Sequence, residues 1–315
     1  MSEISIVSAF YDIKRELLDD FKRDDSKYFE YFSFLAGIKN HFIIYTTQDY
    51  KDKILSLRAA HGLEAKTTII VKPLESFEAE SLEKIERVFK DYNQGKGRRN
   101  PNNIECISPL YCYLMWLKPF FVCDAKSRGI VGDNVLWLDF GFNHGGKYFT
   151  NKGQFNFTLI TPPLDKDKMH FFKVGDDRGK SLAQIYFDMS VCFQGGLLYG
   201  GVAAWERFRE HFREALNAFS SLNIFDDDQI LLLWCYRNYP QFYNIAKNCP
   251  EWFDSLELFI PQEICKTLER NLKNTLAYRV AKENYKKAVE SREYLLAFKE
   301  FVRYCYLKIF KKDSI

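Results

Sequence analysis

"VLWLDFGFNH", residues 135–144, decides how this sequence is read. Val135 to Leu138 are all large and apolar, the run stops at Asp139, and Gly141, Asn143 and His144 follow. A short apolar run bounded by turn residues predicts a strand buried on both faces. A lone aspartate at a strand end serves as a turn former or helix cap in many chains. The rigid run before it also gives it the fixed position that a metal ligand or charge-orienting group requires. Carboxylate, amide and imidazole so close together suit Mg2+ or Mn2+ bridging a diphosphate, and Gly141 lets the backbone come near such a ligand. "DFG" is also the metal-binding tripeptide of protein kinases, but the kinase glycine loop and HRD-type loop are missing, which excludes that reading.

Working outward, the chain alternates β-like and helical segments. "ISIVSAF" (4–10), "HFIIYTT" (41–47) and "TTIIVKP" (67–73) are predicted strands, and "FNFTLIT" (155–161) is a further candidate. "YDIKRELLDDFKR" (11–23), "SLEKIERVFKDY" (81–92) and the segment from 202 to 219 have helical periodicity. "SPLYCYLMWLKPFFVCDA" (108–125) reads as one buried helix entered through Ser108-Pro109. "NQGKGRRNPNN" (93–103) is a polar loop whose three basic residues are either solvated or face an anionic ligand. Strands alternating with helices predict an α/β fold, a mostly parallel sheet of the Rossmann type flanked by helices. Ligands in such sheets bind beyond the carboxyl ends of the strands, which gathers Ser8–Tyr11, Asp139–His144 and Gly195–Gly201 near one rim.

Two further motifs bear on chemistry. "SVCFQGGLLYGG" (190–201) reads as a strand running into a double-glycine turn, either a tight turn or a backbone wall beside a bound sugar. Asp226, Asp227 and Asp228 precede an apolar helix. One of them fits its N-cap, and three adjacent carboxylates raise one another's proton affinity toward general-base values.

Composition bounds the rest. With 315 residues, 47% hydrophobic and 28% charged, the chain is long enough for a large α/β domain with a pocket. Its 45 basic and 42 acidic side chains leave a net charge of +3, which argues against a nucleic-acid binder. Eight cysteines without a CxxC pair fit a reducing compartment, and the start carries no signal-peptide pattern, so a cytoplasmic protein is expected. Beyond residue 255 the pattern is helical only. Its last piece carries Leu295, Phe298, Phe301, Val302, Tyr306 and Ile309 on one stripe with lysines opposite, suited to a core, a partner or an anionic membrane surface.

"VSAFYDIKR", "LYCYLMWLKPFFV", "LWLDFGFNH", "FQGGLLYGG" and "DDDQILLLW" occur in an order that resembles HtrL/YibB-like proteins and, more broadly, GT-A glycosyltransferases. The resemblance covers roughly residues 4–250. It implies a GT-A-like catalytic domain over 1–254, nucleotide-binding to about 140 and acceptor-binding from about 141, with 255–315 as a C-terminal helical extension. It also implies transfer of a sugar from a nucleotide-diphosphate sugar donor to a glycan or lipid-linked glycan acceptor, in bacterial surface polysaccharide or lipooligosaccharide synthesis. Carried onto this chain, Ala9, Phe10 and Tyr11 contact the base with Arg15 near it, and Lys118 faces the donor phosphates. Asp139 takes the first position of the DxD element, holding ribose and Mn2+ or Mg2+. Gly195 and Gly196 border the donor sugar, and Asp227 or Asp228 orients or deprotonates the acceptor hydroxyl. The chain departs from DxD at Gly141. Asn143, His144 or a distant carboxylate then completes the metal shell, or the protein works without metal. The alternatives are a non-catalytic nucleotide-binding or interaction protein on a degenerate GT-A fold and a nucleotidyltransferase.

Overall fold

The computed structural model describes residues 3–15, 24–143, 149, 151–268, 281, 284–285, 288–289 and 292–310, the last four without their side chains. Seven strands form one sheet: β1 (Ser5–Ala9), β2 (Phe42–Thr46), β3 (Thr67–Val71), β4 (Asn134–Leu138), β5 (Met169–Lys173), β6 (Leu197–Gly201) and β7 (Tyr243–Asn248). Their order is β3-β2-β1-β4-β6-β5-β7. β1 pairs in parallel with β2 and β4, as β2 does with β3 and β5 with β7, while β6 runs antiparallel to both β4 and β5. The sheet is therefore mostly parallel with helices around it, the predicted fold class.

Strands β2, β4 and β6 are buried at every residue, which is why they read as unbroken apolar runs. Alternation along the strands divides their side chains between two cores. Val7, Ile43, Tyr45, Val135, Trp137 and Leu198 face one; Ile6, Phe42, Ile44, Leu136, Leu138 and Leu197 face the other. The second core continues past residue 254 through Leu256, Phe259 and Leu268. Beneath the rim an aromatic cluster anchors the ends of β1 and β4: Phe140 stacks on Phe32 at 4.2 Å and meets Phe10 at 5.0 Å.

Four sequence expectations are corrected. The segment 108–125 is two helices, Pro109–Trp116 and Lys118–Ser127, meeting at Leu117. Pro119 is responsible, because within a continuous helix it would lack its N–H and press on the preceding turn. Ser108 caps the first helix by accepting from the Tyr111 N–H at 3.2 Å. Residues 155–161 form no strand: Asn40 bonds both the N–H and the C=O of Leu159, at 2.6 and 3.1 Å, replacing a ladder with a side chain. β6 begins after Gly195-Gly196 instead of ending there. Because β6 is reversed, that first pair lies at the rim, while Gly201 pairs with Asn134 at the opposite end of the sheet. Gly200 and Gly201 serve packing, since added Cβ atoms would lie 2.6 Å from Met169 Sδ and 2.5 Å from the Lys166 carbonyl.

Segment 81–92 is helical within Ala79–Asp91, and 202–219 within Val202–Ser221. The helix expected over 11–23 falls largely outside the described residues. All eight cysteines are free thiols, six of them buried. Beyond 255, the described residues contain only helical segments, ending in Tyr294–Phe310. No helix among the described residues is long and apolar enough to cross a membrane.

Candidate functional site

The strand order reverses direction between β1 and β4, where helices leave to opposite faces and a crevice opens beyond the carboxyl ends. A cleft lies there, walled by the segment after β1 (Phe10, Tyr11, Arg15), the end of β4 (Trp137, Asp139) and Tyr111 of the helix Pro109–Trp116. An adjoining depression shares Tyr11 and Asp12 and continues over the tips of β2 and β3 past Gln48, Tyr50, Lys72 and Glu75.

Asp139 follows β4 directly and lies two residues beyond Trp137, so both side chains fall on one face of the strand. The Trp137 indole N–H donates to Asp139 Oδ1 at 2.7 Å. The backbone N–H of Asp139 donates to the Gly196 carbonyl at 2.9 Å, extending the β4–β6 pairing by one residue. Lys118, first residue of its helix, brings its ammonium to 3.1 Å from Asp139 Oδ1, 2.6 Å from Asp228 Oδ2 and 2.8 Å from the Gly195 carbonyl. Its side chain is 1% exposed, against 29% for Asp139 and 3% for Asp228. An ammonium so buried needs compensation, and two carboxylates and a carbonyl provide it. Burial alone would lower the Lys118 proton affinity; the charges of Asp139 and Asp228 outweigh it and hold the group cationic. For Asp228 the balance is reversed: burial, with the charge of Asp139, raises its proton affinity against the pull of Lys118.

Gly195 is required by the same packing. A Cβ on it would lie 1.8 Å from Asp228 Oδ2.

The acidic triplet divides three ways. Asp227 caps the helix Asp228–Asn238 by accepting from the Gln229 N–H at 3.0 Å. Asp226 accepts from Arg98 at 2.7 Å in a buried ion pair, and burial still pushes its carboxyl up to about 6. Asp228 alone reaches Lys118. Asp227 is also raised, by burial first and then by its two acidic neighbours.

A family model described as "Bacterial protein of unknown function (HtrL_YibB)" matches residues 2–261. The chain belongs to the HtrL/YibB family. It is 29% identical over 273 residues to "Protein HtrL" of Escherichia coli (strain K12), covering 82% of this chain and 93% of that protein. Among solved structures, mouse xyloside xylosyltransferase 1 in its apo form superimposes with a TM-score of 0.40 and 8% identity, covering 81% of this chain and 91% of that one.

Of the residues that the HtrL/YibB resemblance singled out, Ala9, Phe10, Tyr11, Arg15 and Asp139 line the cleft. Phe10 turns into the aromatic cluster and the Tyr11 hydroxyl donates to the Lys72 carbonyl at 2.9 Å, so both side chains also shape the wall. Lys118 is brought to Asp139 but sits behind it, enclosed by acids. Gly195 offers Lys118 its carbonyl, and Gly196 packs closely on Trp252 and Phe142. Of the expected metal ligands among the described residues, Asp139 faces the cleft and Asn143 does not. Asn143 is fully buried and its amide donates to the Phe149 carbonyl at 3.3 Å; His144 lies outside the described residues. The donor set fits a divalent ion poorly. Among the described residues no three His, Cys, Asp or Glu side chains cluster as metal ligands, and a buried ammonium already lies between the two site acids.

Trp137, Tyr28 and Tyr111 were not singled out from the sequence. Trp137 was accessible through the two-residue period that places it beside Asp139. The basic loop 93–103 divides instead of acting together: Arg98 turns inward to Asp226, while Lys96 and Arg99 are exposed.

Proposed function

We propose that this protein transfers a glycosyl group from a nucleoside-diphosphate sugar to a hydroxyl group of a glycan acceptor, in the synthesis of a bacterial surface polysaccharide or lipooligosaccharide. The supporting observation is the Asp139–Lys118–Asp228 cluster at the edge of the β1–β4 cleft. In such a transfer the bond from the anomeric carbon to the diphosphate breaks, and the electron pair leaves with the diphosphate. The acceptor oxygen forms the new bond and gives its proton to a carboxylate. In this reading Asp139 meets a sugar or acceptor hydroxyl, while Asp228 acts through Lys118 by fixing where the ammonium, and hence Asp139, sits. This assignment replaces direct contact of Asp227 or Asp228 with the acceptor.

The test is a thermal-shift screen of UDP-, GDP-, CDP- and ADP-sugars followed by product analysis. Release of the nucleoside diphosphate with a glycosylated acceptor is expected. Release of pyrophosphate identifies a nucleotidyltransferase, and absence of any nucleotide-induced shift refutes the proposal. The burial of Asp228 favours a second reading, a nucleotide-binding protein without turnover. Binding without donor cleavage, with lipooligosaccharide-type acceptors supplied, would establish it.

The acceptor class connects to the helix Tyr294–Phe310. Its Leu295, Phe298, Phe301, Val302 and Tyr306 are exposed; Ile309 lies beyond the described side chains. Lys299, Arg303, Lys308, Lys311 and Lys312 accompany them in the sequence. Apolar and basic side chains on one segment suit an anionic bilayer surface, where lipid-linked glycans are assembled.

A further inference from the structure

A carboxylate is expected at position 141 if two acids clasp a divalent ion, and the structure gives a steric reason for glycine there. A Cβ on Gly141 would lie 3.1 Å from Tyr28 Cδ1 and 3.5 Å from Tyr31 Cδ2, both in aromatic rings. A second acid at 141 would therefore crowd the Tyr28 ring, which would have to give by a few tenths of an ångström. That ring also carries a partner, since the Tyr28 hydroxyl accepts from Arg15 Nη1 at 2.6 Å. Arg15 is 7% exposed, lies over the Tyr111 ring at 5.6 Å and lines the cleft. Among the described residues its buried Nε has no hydrogen-bond partner and no carboxylate pairs with it.

The neighbouring charges are committed elsewhere. Asp12 is paired with Lys14, Asp25 with Lys53, and Asp139 with Lys118. A guanidinium with spare donors, held by a tyrosine and facing the switch-point cleft, is a receptor for a bidentate anion. We propose that the cleft holds the diphosphate of its nucleotide through Arg15 and without a divalent cation. Lys118 supplies, from within the protein, the positive charge that Asp139 and Asp228 would otherwise draw from a metal. This inference rests on the nucleotide-sugar reading and deepens it by assigning the group that meets the leaving diphosphate.

Isothermal titration of the full chain with UDP and with GDP, in EDTA and again in excess Mn2+, tests it. Affinity in EDTA within about threefold of that in Mn2+ is expected, since Arg15 offers the charged hydrogen bonds. Arg15→Gln should weaken binding by roughly 10- to 100-fold, as loss of a charged hydrogen-bond donor does, and Arg15→Lys should fall between because it keeps the charge but loses the fork. Binding that appears only with Mn2+ overturns the inference and leaves the transferase reading standing. Unchanged affinity in a folded Arg15→Gln protein overturns it as well. Failure of both nucleotides under both conditions removes the inference, and the same failure across the wider sugar-nucleotide screen removes the underlying reading. The wild-type comparison needs no variant, so a poorly folding Arg15→Gln protein leaves the test intact.

Discussion

Replacing Lys118 by methionine removes the cation from between two carboxylates while keeping most of the side-chain volume. Breaking a buried ion pair by deleting one partner costs about 3–5 kcal/mol, because the remaining charge has neither water nor a counterion. For a chain of this size that corresponds to a drop in Tm of roughly 5–8 °C. Part of the loss is recoverable by protonation. Asp228 already has a raised proton affinity from burial and from Asp139, and loss of Lys118 raises it further. The native state of the variant then binds a proton more tightly than the unfolded chain does. Its stability falls as pH climbs from the ordinary carboxylate range through the raised native value. The deficit relative to wild type should therefore be largest near about pH 8 and shrink toward about pH 5. The double variant Lys118→Met/Asp228→Asn should regain most of the loss, since Asp139 is open enough to take water. Urea or thermal melts at the two pH values read this directly. An equal deficit at both, or no recovery in the double variant, refutes the account of Lys118 as the counterion of Asp228.

Gly195→Ala places a methyl group 1.8 Å from Asp228 Oδ2, so the carboxylate must swing off Lys118; a fall in turnover larger than the fall in nucleotide affinity is expected from steady-state kinetics beside titration. Arg98→Met strands Asp226, and about 3–5 kcal/mol should be lost in denaturant melts; because Arg98 holds the Asp226 carboxyl down, its loss raises that group further, and the deficit should ease as the pH falls through this raised value. Leu295→Asp with Phe298→Asp should abolish sedimentation with vesicles containing anionic lipid and leave nucleotide affinity unchanged; sedimentation equal to wild type would remove the membrane contact.

The parts of the fold legible in the sequence are those whose cause is local. β1 and β4 stand out because strands covered on both faces need continuous apolar residues, and Asp139 stands out because it ends such a run. β7 was hidden because it is the edge strand: in "YNIAKN" only Tyr243 is buried, so neither an apolar run nor alternation marks it. β5, "MHFFK", has a histidine within it, whose ring nitrogen meets the Asp165 carbonyl at 2.6 Å. In the site, the strand tips were readable and the partners of Lys118 were not. No local pattern indicates that a residue near position 118 faces position 228 across the molecule. Nor does the string "DDD" show that one member caps a helix, one pairs with Arg98 and one with Lys118. Those are decisions of packing.

The reversed course of β6 bears on when the site comes into being. Gly195 reaches Lys118, and Gly196 reaches Asp139, only because the chain has crossed to the far half of the sheet and re-entered it against the grain of its neighbours, and Asp228 arrives later still. A nascent polypeptide that has emerged through β4 carries the tryptophan, the first aspartate and the lysine without the backbone carbonyl and second acid that surround the ammonium. Loop closure over such separations is slow. Assembly of the Asp139–Lys118–Asp228 cluster then waits on synthesis through Asp228, well after the strand that carries Asp139 has emerged.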